Sequence, residues 1–486
     1  MGASMSDTTA FCDAAAQLLG PKGFTTDPEL VDPWLTDWRG RYTGRAIGLA
    51  SPASTAETAE LVKLCAKHGV PIVPQGGNSG MSGGATPDES GDAVLLSLRR
   101  MDKITSLDPE AMQVTCEAGV ILQNLHEAAE KHRLRFPLTL GGKGSATIGG
   151  LISTNAGGTQ VLRHGTMRAQ ILGIEAVLAD GSVLDTLTPL KKDNRGFDLK
   201  QLLIGSEGTL GIVTGATLRL LPEISGRTVI WAGLASIRQA RELLVHCERV
   251  AGEALEGFEV LPDHCLAAVL DHLPDARAPL AQPHAWNALI ELVSTKPGGE
   301  DLASLAETML EGALDLGLLE DAVIAANETQ AEAFWLLRDS ISPAERAIGP
   351  AMQHDISVPV KRMADFVTAA IPEVEKRFPE TRALAFGHLG DGNVHFHVLA
   401  PAGVTPGQWE DSEGKQISSF VHDLVTEWGG SISAEHGIGQ MKRDELGRLG
   451  DPAALAVLRG VKQALDPRGL LNPGKLLPLA QSGTNP

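Results

Sequence analysis

The sequence predicts a mixed helix-and-strand protein of two or three domains, and three observations carry the prediction. At 486 residues the chain is longer than one hydrophobic core supports. Helical and strand-like patterns alternate through most of its length instead of separating into all-helical and all-strand blocks. Three glycine-rich loops punctuate strand-like runs in residues 70–215, where the backbone must approach something closely.

Residues 7–44 read as helix followed by irregular chain, with Asp37, Trp38, Arg39, Arg41, Tyr42 and Arg45 clustered at its end. Ala46 to Ala50 is a short strand. Thr55 to His68 has helical periodicity, with Ser54 or Thr55 as N-cap and Glu57 or Glu60 in the first turns. Val70 to Pro74, Ala93 to Leu98, Met112 to Glu117, Ile171 to Leu178 and Gly211 to Leu220 read as strands, and Pro222 closes the region. Further helices are predicted at Ile237 to Ala254, Leu302 to Leu314, Thr329 to Ile348, 410–428 and Pro452 to Leu465. A turn-rich tail begins at Asp466-Pro467.

Forty-one Lys+Arg against 60 Asp+Glu give a net charge of −19, which argues against nucleic acid or anionic lipid as a general partner. Cys12, Cys65, Cys116, Cys247 and Cys265 form no C-x-x-C pair. Neither a disulfide framework nor a cysteine metal site is expected, and a reducing cytoplasm is the expected home. No apolar run reaches the ~18 residues of a membrane helix. The start of the chain lacks the basic and apolar regions of a secretory signal. Met1-Gly2-Ala3-Ser4-Met5-Ser6 fits a myristoylation pattern, and the plainer expectation is that Met5 is the native start.

The first loop is Pro74-Gln75-Gly76-Gly77-Asn78-Ser79-Gly80-Met81-Ser82-Gly83-Gly84. The second runs from Gly141-Gly142-Lys143-Gly144-Ser145-Ala146-Thr147-Ile148-Gly149-Gly150 to Ser153-Thr154-Asn155-Ala156-Gly157-Gly158. The third is Gly205-Ser206-Glu207-Gly208-Thr209-Leu210-Gly211-Ile212-Val213-Thr214. Glycine lets backbone N–H groups close on a phosphate, and the interleaved Ser, Thr and Asn add donors. One such loop is weak evidence; three in close succession are strong. Neither G-x-G-x-x-G nor G-x-x-x-x-G-K-[ST] occurs, so neither a Rossmann site nor a P-loop is supported. A dinucleotide held by loops between strands fits better.

The run Gly387-His388-Leu389-Gly390-Asp391-Gly392-Asn393-Val394-His395-Phe396-His397 and the later Ala434-Glu435-His436-Gly437 offer three or four imidazoles and a carboxylate. That is the ligand set of a divalent metal such as zinc. Asp391-Gly392 marks a turn, with Asp391 a turn residue rather than a ligand. His388 then closes one extended run and His395 opens the next. His395 and His397, two apart, point to one face.

With these features together the chain resembles a known family. The three loops look like those of the FAD-binding (PCMH-type) fold shared by vanillyl-alcohol oxidase and p-cresol methylhydroxylase. The histidine run, the Glu435-His436 pair and the tail Leu471-Asn472-Pro473-Gly474-Lys475 look like one branch of it. That branch contains D-2-hydroxyglutarate dehydrogenases, D-lactate dehydrogenases and glycolate oxidase subunits. The resemblance runs from about residue 30 to 476. It implies an α+β fold, with an N-terminal helical segment at 1–44, a two-part FAD-binding domain at 45–222 and a substrate- and metal-binding α+β domain with an antiparallel sheet at 223–465. A tail at 466–486 would pack back on the flavin.

By position, the resemblance gives the FAD to Pro74, Gly76, Gly77, Asn78, Ser79 and Gly80, with Met81 near the flavin. It adds Pro137, Leu138, Gly141, Gly142, Ser145, Thr147, Ile148, Gly149, Ser153 and Asn155 from the second segment. Glu207, Gly211 and Ile212 resemble the adenosine-side strand, and Asn472 the tail asparagine that reaches the flavin. The first loop holds no histidine, so the FAD is expected to be non-covalent. In the metal-bearing branch the ligands map to His388, His395 and Glu435, for Zn²⁺ or Mn²⁺, and the base to His436. Trp335 to Ser342 resembles the helix that presents a substrate arginine. Arg338 is the candidate for the substrate carboxylate, with Ser342 one turn on along the same face.

Two positions depart from hydroxyglutarate dehydrogenases. Gln353 stands where lysine is usual, next to His354, and His397 stands where asparagine is usual. Arg338 with His397 or His354 would compensate for the missing cation. The resemblance thus implies a D-2-hydroxy-acid dehydrogenase, D-2-hydroxyglutarate favoured and D-lactate close behind. It would be a homodimer passing electrons to an electron-transfer flavoprotein or a quinone. The contrasting reading from the metal motif alone is a metal-dependent hydrolase.

Overall fold

The computed structural model describes residues 5–190, 192–296 and 301–478. Residues 1–4, on which the myristoylation pattern and the reading of Met5 as start depend, lie outside it, as do residues 479–486 of the tail. The described chain divides into two compact units. Of the described residues, unit 1 comprises 5–157, 166–190, 192–222 and 435–478, and unit 2 comprises 158–165, 223–296 and 301–434.

Among its described residues unit 1 holds three sheets. The first orders β1 (Phe24–Thr25), β2 (Gly48–Ala50), β4 (Val94–Ser97) and β3 (Ile72–Gln75), with β2, β4 and β3 parallel. The second orders β5 (Ile104–Asp108), β6 (Gln113–Glu117), β10 (Ile212–Arg219), β8 (Ile171–Val177) and β9 (Val183–Asp185), all antiparallel. β7 (Leu134–Arg135) and β11 (Leu221–Pro222) make a small third. The Thr55–His68 helix starts where Ser54 accepts from the backbone N–H of Glu57 and stops at left-handed Gly69.

The expected 1–44 segment is no separate piece. Phe11, Ala15 and Leu19 of the Met5–Leu19 helix are buried with Leu61, Val62 and Cys65 of the Thr55–His68 helix. The expected boundary at 465 also moves. Residues 435–465 belong to unit 1, where Lys462 Nζ donates to Thr209 O (2.7 Å) and Leu471 O (2.9 Å). The tail joins the first sheet: Ile72 N donates to Leu470 O and Asn472 N to Ile72 O. Buried Asp466 fixes that strand by accepting from Leu470 N (2.9 Å), Leu471 N (2.8 Å) and Lys462 Nζ.

Unit 2 is one seven-stranded antiparallel sheet. Its order is β15 (Asp321–Ile324), β12 (Gly226–Leu234), β14 (Trp286–Ser294), β13 (Leu255–Pro262), β17 (Arg382–His388), β18 (Asn393–Leu399) and β16 (Ala351–Ser357). Alternate residues go to opposite faces. One face buries Ile230, Phe258, Ile290, Ile356 and Phe396 against the Ile237–Ala251, Leu302–Asp315, Met363–Arg377 and Lys415–Glu427 helices. The other buries Trp231, Leu261, Leu289, Leu384 and Phe386 with Leu266, Phe334, Leu337 and Ile341. These last come from the Asp263–His272, Glu328–Asp339 and Ile341–Ile348 helices.

The single helix predicted over Thr329 to Ile348 is two, Glu328–Asp339 and Ile341–Ile348, divided at Ser340. Pro343 explains the break: its ring excludes the carbonyl four residues back, and it has no N–H to give. The helix predicted at 410–428 opens with a wide π turn over Glu410–Gly414 before α-helix over Lys415–Glu427.

Asp466→Ala orphans two buried N–H groups and takes the carboxylate partner from the Lys462 ammonium, leaving it two carbonyls. Chemical denaturation is expected to show a loss of about 3 kcal/mol. A loss under about 0.5 kcal/mol, the usual size for a neutral surface change, would mean the tail is held by other contacts.

Candidate functional site

In unit 1, β3 ends at Gln75 and the chain turns into the first glycine loop. Gln75 Nε2 anchors the loop by donating to Trp34 O (3.1 Å) and Ala85 O (2.9 Å). Over the loop opens a cleft that encloses about 950 Å³ of space, part of it open to solvent. Pro74, Gly76, Gly77, Asn78, Ser79 and Gly80 line it from the first loop, Thr147, Gly149 and Ser153 from the second, and Glu207, Gly211 and Ile212 from the third. The loops interlock. A Cβ on Gly77 would stand 1.7 Å from Ser145 O, and one on Gly76 would stand 2.3 Å from Thr147 Oγ1. Of the lining residues only Glu207 and His436 ionise, so an anion here meets backbone N–H groups and hydroxyls rather than lysine or arginine. Sequence reasoning did not place His436, Gln75, Ser82, Leu98 or Ala118 in this lining.

Several residues expected at the cofactor lie outside this lining. Met81, Pro137, Leu138, Gly141, Gly142, Ser145, Ile148, Asn155 and Asn472 are not among the lining residues. Leu138 and Ile148 are buried in the core beside the second loop. Arg39 reaches the Met81 sulfur (3.6 Å). Asn155, left-handed at φ 50°, accepts from Thr166 Oγ1 and Arg168 N. Asn472 donates to Gly84 O (2.9 Å) and Glu207 O (2.7 Å), tying two loops together. The Glu207 carboxylate turns to the segment after His436, accepting from Ile438 N and Gly439 N, each at 2.7 Å. Burial pushes its pKa up. Ser82 Oγ holds the same segment by donating to His436 O (3.0 Å). Glu207 and Ser82 thus fix the backbone that carries the candidate base.

In unit 2 the histidine run is a β-hairpin, β17 and β18, closed by the Asp391-Gly392 turn. Gly392 has φ +83°, and a Cβ there would meet Val358 O at 2.2 Å. Asp391 Oδ1 accepts from Asn393 N (2.9 Å), as a turn residue does. Register sets His388, His395, His397, Gln353 and Asp355 on one face with Phe386. The His388 and His395 rings lie 5.5 Å apart between centroids, and those of His395 and His397 lie 6.4 Å apart.

Glu259 on β13 reaches this row, 1 % exposed at the side chain. It accepts from His388 Nδ1 and from Arg338 Nε (2.9 Å). Burial alone would raise its pKa, yet the Arg338 guanidinium and His388 hold the carboxyl well below the usual range. Burial, then Arg338 and His388, push His395 well below the usual imidazole value, which favours the neutral, ligating form.

Two expectations fail here. Arg338 ends one helix and Ser342 lies in the next, so they do not share one helical face. His354 points away from Gln353, through the opposite face. Its Nδ1 lies 2.9 Å from Phe396 O and its Nε2 2.9 Å from Ser418 Oγ, and its ring packs edge-on to His422. His354 is a core residue rather than a substrate ligand. Glu435 opens the last segment of unit 1.

The His388–His395 pair fits a divalent metal on one local observation: Glu259 takes the Nδ1–H of His388, the usual carboxylate partner of a ligating histidine. The unit 1 cavity fits FAD by its glycine-walled, cation-free lining of backbone N–H groups and hydroxyls.

Comparison with known proteins agrees with the cavity. Residues 225–476 match the C-terminal domain of FAD linked oxidases, and residues 46–187 match an FAD binding domain. The chain is 37 % identical to the mitochondrial D-2-hydroxyglutarate dehydrogenase of Bos taurus, over 96 % of this chain and 83 % of that one. It is 34 % identical to the D-2-hydroxyglutarate dehydrogenase of Xanthomonas citri pv. viticola, over 95 % of each. In fold it is similar to p-cresol methylhydroxylase, with a TM-score of 0.77 at 16 % identity over 98 % of each chain.

Gly77→Ala forces the first two loops apart at an overpacking cost of about 1–3 kcal/mol. FAD retained on purification is expected to fall by about tenfold or more, read from the flavin absorbance per chain; unchanged flavin would refute the interlock. Lys475, buried in unit 1, has its pKa pushed down from 10.5 to about 8, burial being the main cause. The unfolded chain therefore binds the extra proton between those values, and this lysine makes stability rise with pH across that window, by up to ~3 kcal/mol. Denaturation curves of Lys475→Met should lack that rise relative to the parent chain. The matched FAD-binding and oxidase domains, together with relatives aligned over nearly the whole chain, make it a member of the FAD-linked oxidase family, in the branch that holds the D-2-hydroxyglutarate dehydrogenases.

Proposed function

We propose that this protein oxidises a D-2-hydroxy acid to the 2-oxo acid, with non-covalent FAD and a divalent metal, and that D-2-hydroxyglutarate is its first candidate substrate. The observation that carries the reading is the row of Arg338, His388, His395 and His397 along one face of the unit 2 sheet, organised by buried Glu259. A row of imidazoles beside a guanidinium is a surface for a hydroxyl next to a carboxylate. The names of the relatives support the substrate class. The flavin-binding family sets the hydrolase reading aside.

When bound, FAD supplies the acceptor for the hydride leaving C2, and the metal supplies the positive charge that makes the substrate hydroxyl acidic. His388 and His395 are the proposed ligands in unit 2. The resemblance of Ala434-Glu435-His436-Gly437 adds Glu435 as ligand and His436 as base. His436 takes the hydroxyl proton, a task suited to a neutral imidazole. Arg338, with its Nε held by Glu259, pairs with the substrate carboxylate through its fork. Glu259 keeps His388 in the tautomer whose Nε2 is the ligand nitrogen. An electron-transfer flavoprotein or a quinone would be the acceptor that takes up the electrons.

Gln353 favours a second reading. It is neutral and stands opposite His397 in the β16–β18 register, so a 2-hydroxy acid with an uncharged side chain, such as D-lactate, also fits.

Anaerobic mixing with a panel of D- and L-2-hydroxy acids should bleach the flavin with one D-enantiomer, and EDTA should slow the bleaching; a panel that leaves it oxidised sinks the reading. Glu259→Gln is expected to weaken metal binding by about 10–100-fold, measured by competition with a chromogenic chelator. Full metal content and turnover in His388→Ala would remove His388 from the ligand set.

A further inference from the structure

The sheet face in unit 2 carries a second carboxylate–histidine pair, whose carboxylate the proposed reaction does not use. Glu345, on the Ile341–Ile348 helix, is 2 % exposed, and its Oε2 accepts from His397 Nδ1. The helix is fixed beneath it, with Ile341 and Ala344 buried among Leu384 and Phe386 of the sheet. His397 is 4 % exposed. Its ring lies 5.1 Å from that of Phe386, which also packs at 5.1 Å on His395. Gln353 is its neighbour across the register.

Burying a carboxylate is costly unless it has a defined partner. Here the partner is one imidazole, two residues along the strand from a proposed ligand. With Nδ1 held by Glu345, the nitrogen that meets a ligand is Nε2. The two pairs flank His395, Glu259–His388 on one side and His397–Glu345 on the other. The first serves the reacting end of the substrate in the reading above, which leaves the second beside whatever extends from it.

We propose that Glu345 is a positioning residue that fixes His397 against the end of the substrate remote from C2. The pair then makes the enzyme favour 2-hydroxy acids whose far end hydrogen-bonds over those ending in a methyl group. This rests on the D-2-hydroxy-acid reading.

The test compares D-2-hydroxyglutarate with D-2-hydroxyvalerate, which has the same carbon chain with a methyl in place of the far carboxylate. The parent protein should prefer the first in kcat/KM. In Glu345→Leu and His397→Leu the preference should shrink about tenfold, carried by the KM of the carboxylate-ended acid. Glu345→Gln, which still accepts from Nδ1, should keep most of it. The double Leu variant should be no worse than His397→Leu, because Glu345 acts only through His397. Affinities for the matching 2-oxo acids, titrated on the oxidised protein, should shift in parallel, with metal and flavin contents retained. If Glu345→Leu does not fold, the loss in His397→Leu and the retention in Glu345→Gln decide. Equal losses on both acids, additive effects in the double variant, loss of metal from Glu345→Gln, or no preference in the parent protein would overturn the proposal. Failure of every 2-hydroxy acid to reduce the flavin would instead overturn the reading beneath it.

Discussion

The candidate substrate face depends on one buried carboxylate. Glu259 sits in the middle strand of the unit 2 sheet and is almost fully enclosed, yet Arg338 and His388 hold it in the charged form. A buried charge of this kind is tolerated only with such partners, and removing one of them typically costs about 3–5 kcal/mol. The three groups therefore constrain one another. Arg338 is fixed at the end of its helix, His388 at the end of its strand, and the hairpin that follows inherits its orientation. His395 and His397 line up along the same face because the β17–β18 register, once set at His388, allows nothing else.

Unit 1 solves a different problem, that of bringing loops close enough to enclose a long anionic cofactor without fixed cations. Backbone approaches backbone at Gly77 and Ser145, where no side chain fits. Polar side chains are spent on holding loops to each other: Gln75 on residues 34 and 85, Asn472 on residues 84 and 207, and Glu207 on the turn after His436. The same side chains that border the cavity, or stand just behind it, hold its loops in place.

The features legible in the sequence were those governed by local rules. Asp391-Gly392 between two alternating runs is a hairpin in any context, and the glycine loops betray close approach wherever they occur. The antiparallel sheet and the cavity followed only once the motifs were set beside a family. The assignment of His354 failed because two adjacent strand residues cannot share a face; parity alone separates it from Gln353. The Arg338–Ser342 face failed on Pro343, which cuts the helix between them. Glu259 and Glu345 were invisible for another reason. Each comes from an element far from its histidine in sequence, and no local pattern marks a glutamate that will be buried against an imidazole.

X-ray absorption of the zinc-loaded protein tests the central claim most directly, that Glu259 turns His388 toward a cation it shares with His395. The account predicts two imidazole nitrogens at about 2.0–2.1 Å from the metal, reduced to one in His388→Ala. A coordination shell with no imidazole, or one unchanged in that variant, would contradict it.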